Sequence, residues 1–334
     1  MNKQICKRYS TTILVFVILS VAILSINSKN KTETKFLKMF GYKGKVKSIC
    51  TYILDPNCDL SNIKTGDTIK SVDMHFDRKG RLLKSISLNE KNNPLLSVTY
   101  LYDKKNNPTE MITHTESGSL KERLVLYYDK GGHTIGEKLY NSSGGLEMHL
   151  KDIHDNNGNL IETYSALDNY LYPRYIYDYN EDNKLVEERS YFAFNKYYKS
   201  IYKYDDFENV IEALRYDTDG TIDTGYKATY YKEAMPKMKV RFKNDSITEK
   251  IYYEYDNKDR ILIETHFNSD GSFDYQITAI YDNYNNLVME KFIGRYTGTQ
   301  ENILTFDEIG NVILEIRKWN TQIEFIEKSS IIYY

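Results

Sequence analysis

An aromatic residue followed by Asp, or a close variant of that pair, recurs along most of this chain at a near-constant spacing. Asp77 to Asp307 is 230 residues, which over nine periods gives about 25.6 residues for each copy. A degenerate copy around Tyr230-Tyr231 fills the double gap between Asp205 and Asp256. A fixed period of this length is the signature of a repeat architecture. The nine pairs are Phe76-Asp77, Tyr102-Asp103, Tyr128-Asp129, His154-Asp155, Tyr179-Asn180, Tyr204-Asp205, Tyr255-Asp256, Tyr281-Asp282 and Phe306-Asp307.

Each copy predicts two strands and two tight turns. Apolar and polar residues alternate before the Asp, as in residues 251–255, and this period of two is typical of a strand that enters a hairpin. Three residues after the Asp, eight of nine copies carry Gly, Asn or Asp, which tolerate a positive φ; Glu208 is the exception. We therefore expect an all-β fold, a repetitive antiparallel meander of about twenty strands. Because a flat sheet of that size would be ~95 Å wide, it should curl into a superhelical or barrel-like β-shell.

The repeated Asp residues are interpreted as structural turn residues. An Asp side chain accepts hydrogen bonds from the backbone two residues on, which stabilises a turn. Two acid-rich stretches, residues 178–182 and 217–223, also space their oxygens as calcium loops do. Turn capping is favoured because every copy needs a turn and few copies have three close acids, so no metal and no cofactor are predicted. The turn residues are Asp77, Asp103, Asp129, Asp155, Asp205, Asp256, Asp282 and Asp307.

The repeat motif resembles the YD-repeat, or RHS-repeat, family. The resemblance is carried by Tyr100-Leu101-Tyr102-Asp103, Tyr202-Lys203-Tyr204-Asp205 and Tyr253-Glu254-Tyr255-Asp256, with a turn signature at residues 155–160, and it covers roughly residues 71–334. It implies the curling β-sheet of bacterial toxin shells and cell-surface proteins. The period here is longer than usual, and neither the family's self-cleaving core segment nor a toxin domain is recognised. The resemblance is therefore limited to the repeat array and implies no toxin-encapsulating function.

The N-terminus has the pattern of a targeting segment. Lys3, Lys7 and Arg8 precede an apolar run over residues 11–26. The run is short for a membrane span and its cleavage site is poor, so a signal peptide and an uncleaved anchor both stay open. The expected organisation is a leader at 1–28, an N-terminal cap with a lead strand and an insertion at 29–70, and the repeat array at 71–334. The protein is expected to be exported to the periplasm, cell surface or extracellular space.

Two cysteines lie close together after the leader. Cys50 and Cys58 flank the turn-forming residues 55–57. In an oxidising compartment they could form a disulfide across that turn, but two unpaired thiols are an equal alternative because sequence does not establish the geometry.

Charged residues within the strands argue against a membrane barrel, the main rival architecture. Residues 187–189, Glu-Glu-Arg, place charge on both faces of one strand, and a lipid-facing charge costs ~2–4 kcal/mol at the bilayer centre. One Glu recurs in the second strand of several copies. We expect these residues to form a solvated ladder on the outer face, and not the paired carboxylates of a glycosidase. They are Glu162, Glu212, Glu264 and Glu290.

The composition favours a binding or structural role over catalysis. The chain carries 45 basic and 47 acidic residues, a net charge of −2, so nucleic acid is an unexpected partner. Nucleophile, phosphate-loop and metal-protease motifs are not found. Its 32 Tyr residues favour partly wet sheet faces that could bind a protein or a glycan. We expect a non-enzymatic scaffold with an unknown ligand; the alternative is an envelope enzyme with its site in the degenerate repeat, residues 225–250.

Overall fold

The computed structural model describes Leu37 and residues 40–64, 67–91, 93–167, 170–193 and 195–334. The whole predicted leader at 1–28, with its apolar run, and the start of the predicted cap lie outside these described residues. Within them, no helix is both long and apolar enough to cross a membrane.

Strands account for nearly all of the described secondary structure. Twenty-two strands occur within the described ranges. The first eleven are β1 Val46–Leu54, β2 Thr68–Phe76, β3 Leu82–Leu88, β4 Pro94–Tyr102, β5 Pro108–Thr115, β6 Leu120–Tyr128, β7 Thr134–Asn141, β8 Leu146–His154, β9 Leu160–Leu167, β10 Tyr170–Tyr179 and β11 Leu185–Ala193. The others are β12 Lys196–Tyr204, β13 Val210–Tyr216, β14 Ile222–Lys232, β15 Met235–Lys243, β16 Ser246–Tyr255, β17 Ile261–Asn268, β18 Phe273–Tyr281, β19 Leu287–Gly294, β20 Gly298–Phe306, β21 Val312–Trp319 and β22 Gln322–Tyr333.

These strands form one antiparallel sheet in which each strand pairs with the next. The last strand, β22, also pairs with β1, so the meander closes. Thr51 lies opposite Ser329 in that pairing, and their hydroxyl oxygens are 3.0 Å apart. The predicted all-β antiparallel meander is confirmed. The lead strand predicted within the cap corresponds to β1, so its partner here is the last strand of the array.

The repeated turn is a three-residue hairpin loop with a left-handed corner. At Asp256, the Asp259 N–H donates to the Asp256 carbonyl at 3.1 Å and the Asp256 N–H donates to the Arg260 carbonyl at 2.9 Å. This is a type I turn closed by a bulge residue of positive φ. All nine predicted corner positions have positive φ, as expected: Gly80, Asn106, Gly132, Gly158, Asn183, Glu208, Asp259, Asn285 and Gly310.

The degenerate copy continues the sheet through two-residue turns. Lys232 pairs with Met235 and Lys243 pairs with Ser246, so only two residues connect β14 to β15 and β15 to β16. Ala234, Asn244 and Asp245 supply the positive φ that such short hairpins require. The copy keeps its place in the meander although its Asp is lost.

The chain divides into two compact units. One unit contains the described residues up to His149 together with residues 305–314 and 326–334, and the other contains the described residues of 150–304 and 315–325. The core of the first unit surrounds Ile49, Met74 and Phe76, with Leu37 from the N-terminal segment packed against them. In the second unit, Ile251 is fully buried. The candidate site described below lies within the second unit.

Candidate functional site

The repeated Tyr binds the preceding copy, so its role is structural. In seven copies, the Tyr hydroxyl donates to the backbone carbonyl two residues past the preceding corner, at 2.7–2.9 Å. That carbonyl follows the bulge, where the regular ladder is interrupted. Burial raises the pKa of these phenols, as at Tyr255, where it reaches about 12. The donor–acceptor pairs are Tyr102–Leu82, Tyr128–Pro108, Tyr179–Leu160, Tyr204–Leu185, Tyr230–Val210, Tyr255–Pro236 and Tyr281–Ile261.

The repeated Asp binds its own turn through both carboxylate oxygens. Oδ1 of Asp256 accepts from the backbone N–H of Lys258 and Arg260 at 2.8 and 3.0 Å, and Oδ2 accepts from Arg260 Nε at 2.7 Å. The hydrogen bond from the Arg260 side chain lowers the pKa of Asp256 to about 2. This side-chain donor, four residues after the Asp, was not predicted from the sequence. Its signal was a recurring Arg, Asn or His: Arg81, Asn107, His133, Asn159, Asn209, Arg260, Asn286 and Asn311.

The two acid-rich stretches considered for calcium are occupied by local contacts. Asp178 pairs with Arg189 at 2.7 Å, and Asp219 Oδ1 accepts from the Thr221 backbone and hydroxyl at 2.9 and 2.6 Å. Among the described residues, no group of three or more acids, His or Cys is placed to hold a metal ion.

Cys50 and Cys58 are unbonded in this structure. Cys50 lies in β1 and Cys58 lies in the loop after it. Burial raises the pKa of both thiols. The disulfide stays a prediction.

The recurring Glu residues do not form one solvated ladder, which corrects the sequence interpretation. Glu212 is 8% exposed, and its carboxylate lies 2.9 Å from both Lys203 Nζ and Lys227 Nζ. Glu264 contacts a buried His266. The Glu follows its turn Asp by seven residues in one group of copies and by eight in the other, and a shift of one residue reverses the face of a strand. These side chains therefore lie on opposite faces, in partly buried polar pairs.

His266 is the most buried titratable group of this region, with a side chain only 1% exposed. Its Nδ1 lies 2.5 Å from Glu249 Oε1 and its Nε2 lies 2.5 Å from Glu264 Oε1. The ring stacks on Tyr275 with centroids 4.0 Å apart. With both ring nitrogens bonded to carboxylates and the ring enclosed, His266 has the contacts of a structural ion pair. A substrate cannot reach the imidazole in this arrangement.

A cleft of about 490 Å³ opens on one face of β10–β13, which we call the β10–β13 cleft. Two serines form its floor because their short side chains leave space between larger neighbours. Ser190 lies between Tyr175 and Tyr198 in one cross-strand row. Ser200 lies between Glu188 and Arg215 in the next row. The cleft thus has an aromatic row beside a charged row.

Bulges shape the rim of this cleft. The register of β10 shifts at Arg174, and that of β11 shifts at Phe192. Bulges redirect side chains and are frequent beside binding sites. The Phe192 ring is 51% exposed and lies 4.8 Å from the Tyr198 ring. An exposed aromatic ring and an exposed guanidinium therefore border the serine floor.

The charged groups of the cleft have few partners. Arg215 stacks on Tyr198, with its guanidinium carbon 3.9 Å from the ring centroid, and its Nε lies 3.2 Å from Asp223 Oδ2 without forming an aligned hydrogen bond. The Glu188 carboxylate accepts a long 3.4 Å hydrogen bond from Tyr202. Burial, and then the Glu188 charge, raises the pKa of Tyr202. Sequence reasoning singled out neither Glu188 nor Arg215 for binding.

No protein-family model matches the chain, and no curated protein matches it. Solved structures with some likeness include TcdB2-TccC3, at 12% identity and a TM-score of 0.31, with 81% of this chain and 17% of that chain covered. A Photorhabdus luminescens Tc holotoxin pore has 12% identity and a TM-score of 0.30, covering 78% of this chain and 18% of that one. The chain therefore spans less than a fifth of these toxin-complex chains.

A porin-like protein from Bacteroides uniformis is similar over a larger share of its own length. It has 9% identity and a TM-score of 0.28, with 86% of this chain and 98% of that chain covered. TM-scores this low establish neither a shared fold nor a shared function. The YD-repeat resemblance accordingly rests on the repeated motif of the chain itself.

Proposed function

We propose that this chain is an exported, non-enzymatic cell-envelope repeat protein that acts as a binding or structural scaffold, with the β10–β13 cleft as its binding site. The observation that carries the proposal is the cleft itself, where half-exposed aromatic rings and weakly partnered charges surround a floor of two serines. Concave surfaces on which a few polar groups converge are common ligand sites. Tyr suits such a role because its rigid ring loses little entropy on binding.

Export is supported by the basic start and the apolar run over residues 11–26. The partner class is a protein or a glycan, and the net charge of −2 disfavours nucleic acid. Contact with a membrane would come through the N-terminal segment, if it is not cleaved.

The enzyme alternative in residues 225–250 has less support. That region continues the sheet through two-residue turns. Its Glu249 is bonded to His266, whose side chain is 1% exposed, so these groups are poorly placed to act on a substrate.

The test is crosslinking and affinity capture from the intact envelope with the full chain. We compare the wild-type protein with a double variant, Tyr175→Ala and Tyr198→Ala, that removes the aromatic row. The control is Tyr252→Ala, a 42% exposed Tyr of β16 outside the cleft. We expect a partner captured by the wild type and the control and lost in the double variant. Equal capture by all three, or recovery of the chain in the cytoplasmic fraction, would contradict the proposal.

A further inference from the structure

We infer that the β10–β13 cleft binds a small zwitterion that carries a flat apolar group, the chemical class of the aromatic α-amino acids. This inference rests on the proposed function for the use of the cleft as a binding site, but it goes beyond it by naming a small-molecule ligand in place of a protein or a glycan. It rests on the order of side chains in the two cross-strand rows.

In the charged row, two side chains of opposite charge are separated by a short serine side chain. Glu188 and Arg215 each lie opposite Ser200, one on either side of it. Strands are ~4.8 Å apart, so the backbones that carry the two charges are ~9.6 Å apart. Within the described structure, the two side chains form no ion pair with each other: Arg215 lies against Tyr198 and Asp223, and Glu188 accepts from Tyr202. The gap between them admits a group that carries both charges.

The aromatic row repeats this arrangement with rings. Tyr175 and Tyr198 each lie opposite Ser190, so two ring-bearing positions are also ~9.6 Å apart across a short side chain. Phe192 extends the aromatic surface at the rim, 4.8 Å from Tyr198. A flat apolar group fits this row because it can pack against the Tyr rings in an offset-stacked or edge-to-face arrangement.

The charges of the lining argue against a ligand with a single charge. A purely anionic ligand would satisfy Arg215 but would desolvate Glu188, which has only a long hydrogen bond from a phenol. A purely cationic ligand would meet Arg215 and, at the rim, the exposed Arg174. A zwitterion pairs with both signs, and a bidentate guanidinium is well suited to its carboxylate. The ammonium group would bind Glu188 among the surrounding phenols.

The experiment is calorimetric titration of the full chain with four probes. L-Phenylalanine carries both charges and a ring; 3-phenylpropionate lacks the ammonium, phenethylamine lacks the carboxylate, and glycine lacks the ring. We expect measurable binding of L-phenylalanine and at least roughly tenfold weaker binding of each of the other three, since each loses one charge-assisted or aromatic contact.

Two variants and a matched control assign the charges. Glu188→Gln should weaken L-phenylalanine roughly tenfold, because the ammonium contact is lost, and should leave 3-phenylpropionate no weaker than before, because the carboxylate that disfavours an anion is gone. Arg215→Gln should weaken L-phenylalanine similarly and leave phenethylamine no weaker than before. Glu187→Gln is the control, since this neighbouring carboxylate points to the opposite face and pairs with Arg189. It should leave every affinity as in the wild type.

The outcomes separate this inference from the proposed function. Binding of 3-phenylpropionate as tight as that of L-phenylalanine would show an anion site and overturn the inference. Failure of every probe, with partner capture still dependent on Tyr175 and Tyr198, would overturn it and leave the scaffold proposal standing. Probe binding with the expected variant pattern but no captured partner would support the inference and count against the protein or glycan partner.

Discussion

Two turns of the second unit show what each copy of the repeat requires. At Asp256, a regular copy, the carboxylate accepts two backbone N–H groups and the Arg260 side chain. In the degenerate copy, Glu233 and Ala234 make a two-residue turn with no such carboxylate. The corner backbone is kept in both, with φ of 62° at Asp259 and 55° at Ala234.

The contacts to neighbouring copies are also kept. Tyr230 donates to the Val210 carbonyl at 2.9 Å, and Tyr255 donates to the Pro236 carbonyl at 2.9 Å. Pro236 lies two residues past Ala234, the same distance from its corner as the acceptor in the six regular copies with this contact. The Tyr contact and the left-handed corner therefore hold one copy to the next, whereas the Asp256 carboxylate binds only its own turn and is replaced by a shorter loop in the degenerate copy.

The largest expected effect is at Gly225 in β14, the strand that begins the degenerate copy. A Cβ there would lie 2.3 Å from the Ala213 carbonyl oxygen, so Gly225→Ala should lower the free energy of unfolding by about 3 kcal/mol. Gly220, in the preceding turn, has φ of +87° and open space around it, so Gly220→Ala should cost only about 1 kcal/mol of backbone strain. Urea denaturation of both variants measures the difference. Equal losses of unfolding free energy in the two variants would show that the close approach of Gly225 to β13 is not needed for stability.

The hydrogen bonds donated by Tyr230 and Tyr255 should contribute equally to the free energy of unfolding. Tyr230→Phe and Tyr255→Phe each leave a carbonyl without its donor and should cost about 1–2 kcal/mol of unfolding free energy. Tyr231→Phe is the control, because this ring is 56% exposed and the change should stay within about 0.5 kcal/mol. A loss of unfolding free energy in Tyr255→Phe but not in Tyr230→Phe would contradict this expectation, because it would show that the Tyr contact depends on the Asp turn of its own copy.

The Asp turn should make only the regular copies sensitive to acid. The pKa values of Asp129 and Asp256 are lowered to about 2 from 3.8, by hydrogen bonds from the side chains of His133 and Arg260 respectively. Their stabilisation is therefore complete above pH 3.8 and is lost as the pH falls towards 2. Asp256→Asn should lower the melting temperature at pH 7 and reduce its further fall between pH 4 and 2. A melting temperature that falls equally in wild type and variant over that range would contradict this account.

The smallest effects are expected from relieving the corners. Ala234 and Glu208 hold φ of 55° and 69°, where an L side chain is disfavoured. Ala234→Gly should raise the free energy of unfolding by up to about 1 kcal/mol. Glu208→Gly should leave it unchanged or raise it, since the Lys184 pair it removes is 76% exposed on the Glu208 side. Differential scanning calorimetry measures the melting temperature of each variant. A clearly lower melting temperature would contradict this expectation and would mean that interactions of the Ala234 or Glu208 side chain stabilise these corners.

Local chemistry let the sequence by itself determine the turns. The corner residues and the strand alternation are properties of a few adjacent residues, so the all-β meander and all nine left-handed corners followed from spacing alone. The side-chain donor four residues after each Asp was equally local and could have been found by aligning the copies, as Arg81, Asn107 and His133 illustrate.

Only the tertiary structure decided which side chains meet across strands. The closure of β22 on β1, the burial of His266 between two carboxylates and the serine floor of the β10–β13 cleft all depend on pairing register. A register shift of one residue moves a side chain to the other face of the sheet, which is why the recurring Glu residues, seven or eight positions after their Asp, were misassigned to one ladder. Spacing along the chain defines each hairpin, but the neighbours of Ser190 and Ser200 come from strands whose alignment is set by the whole sheet.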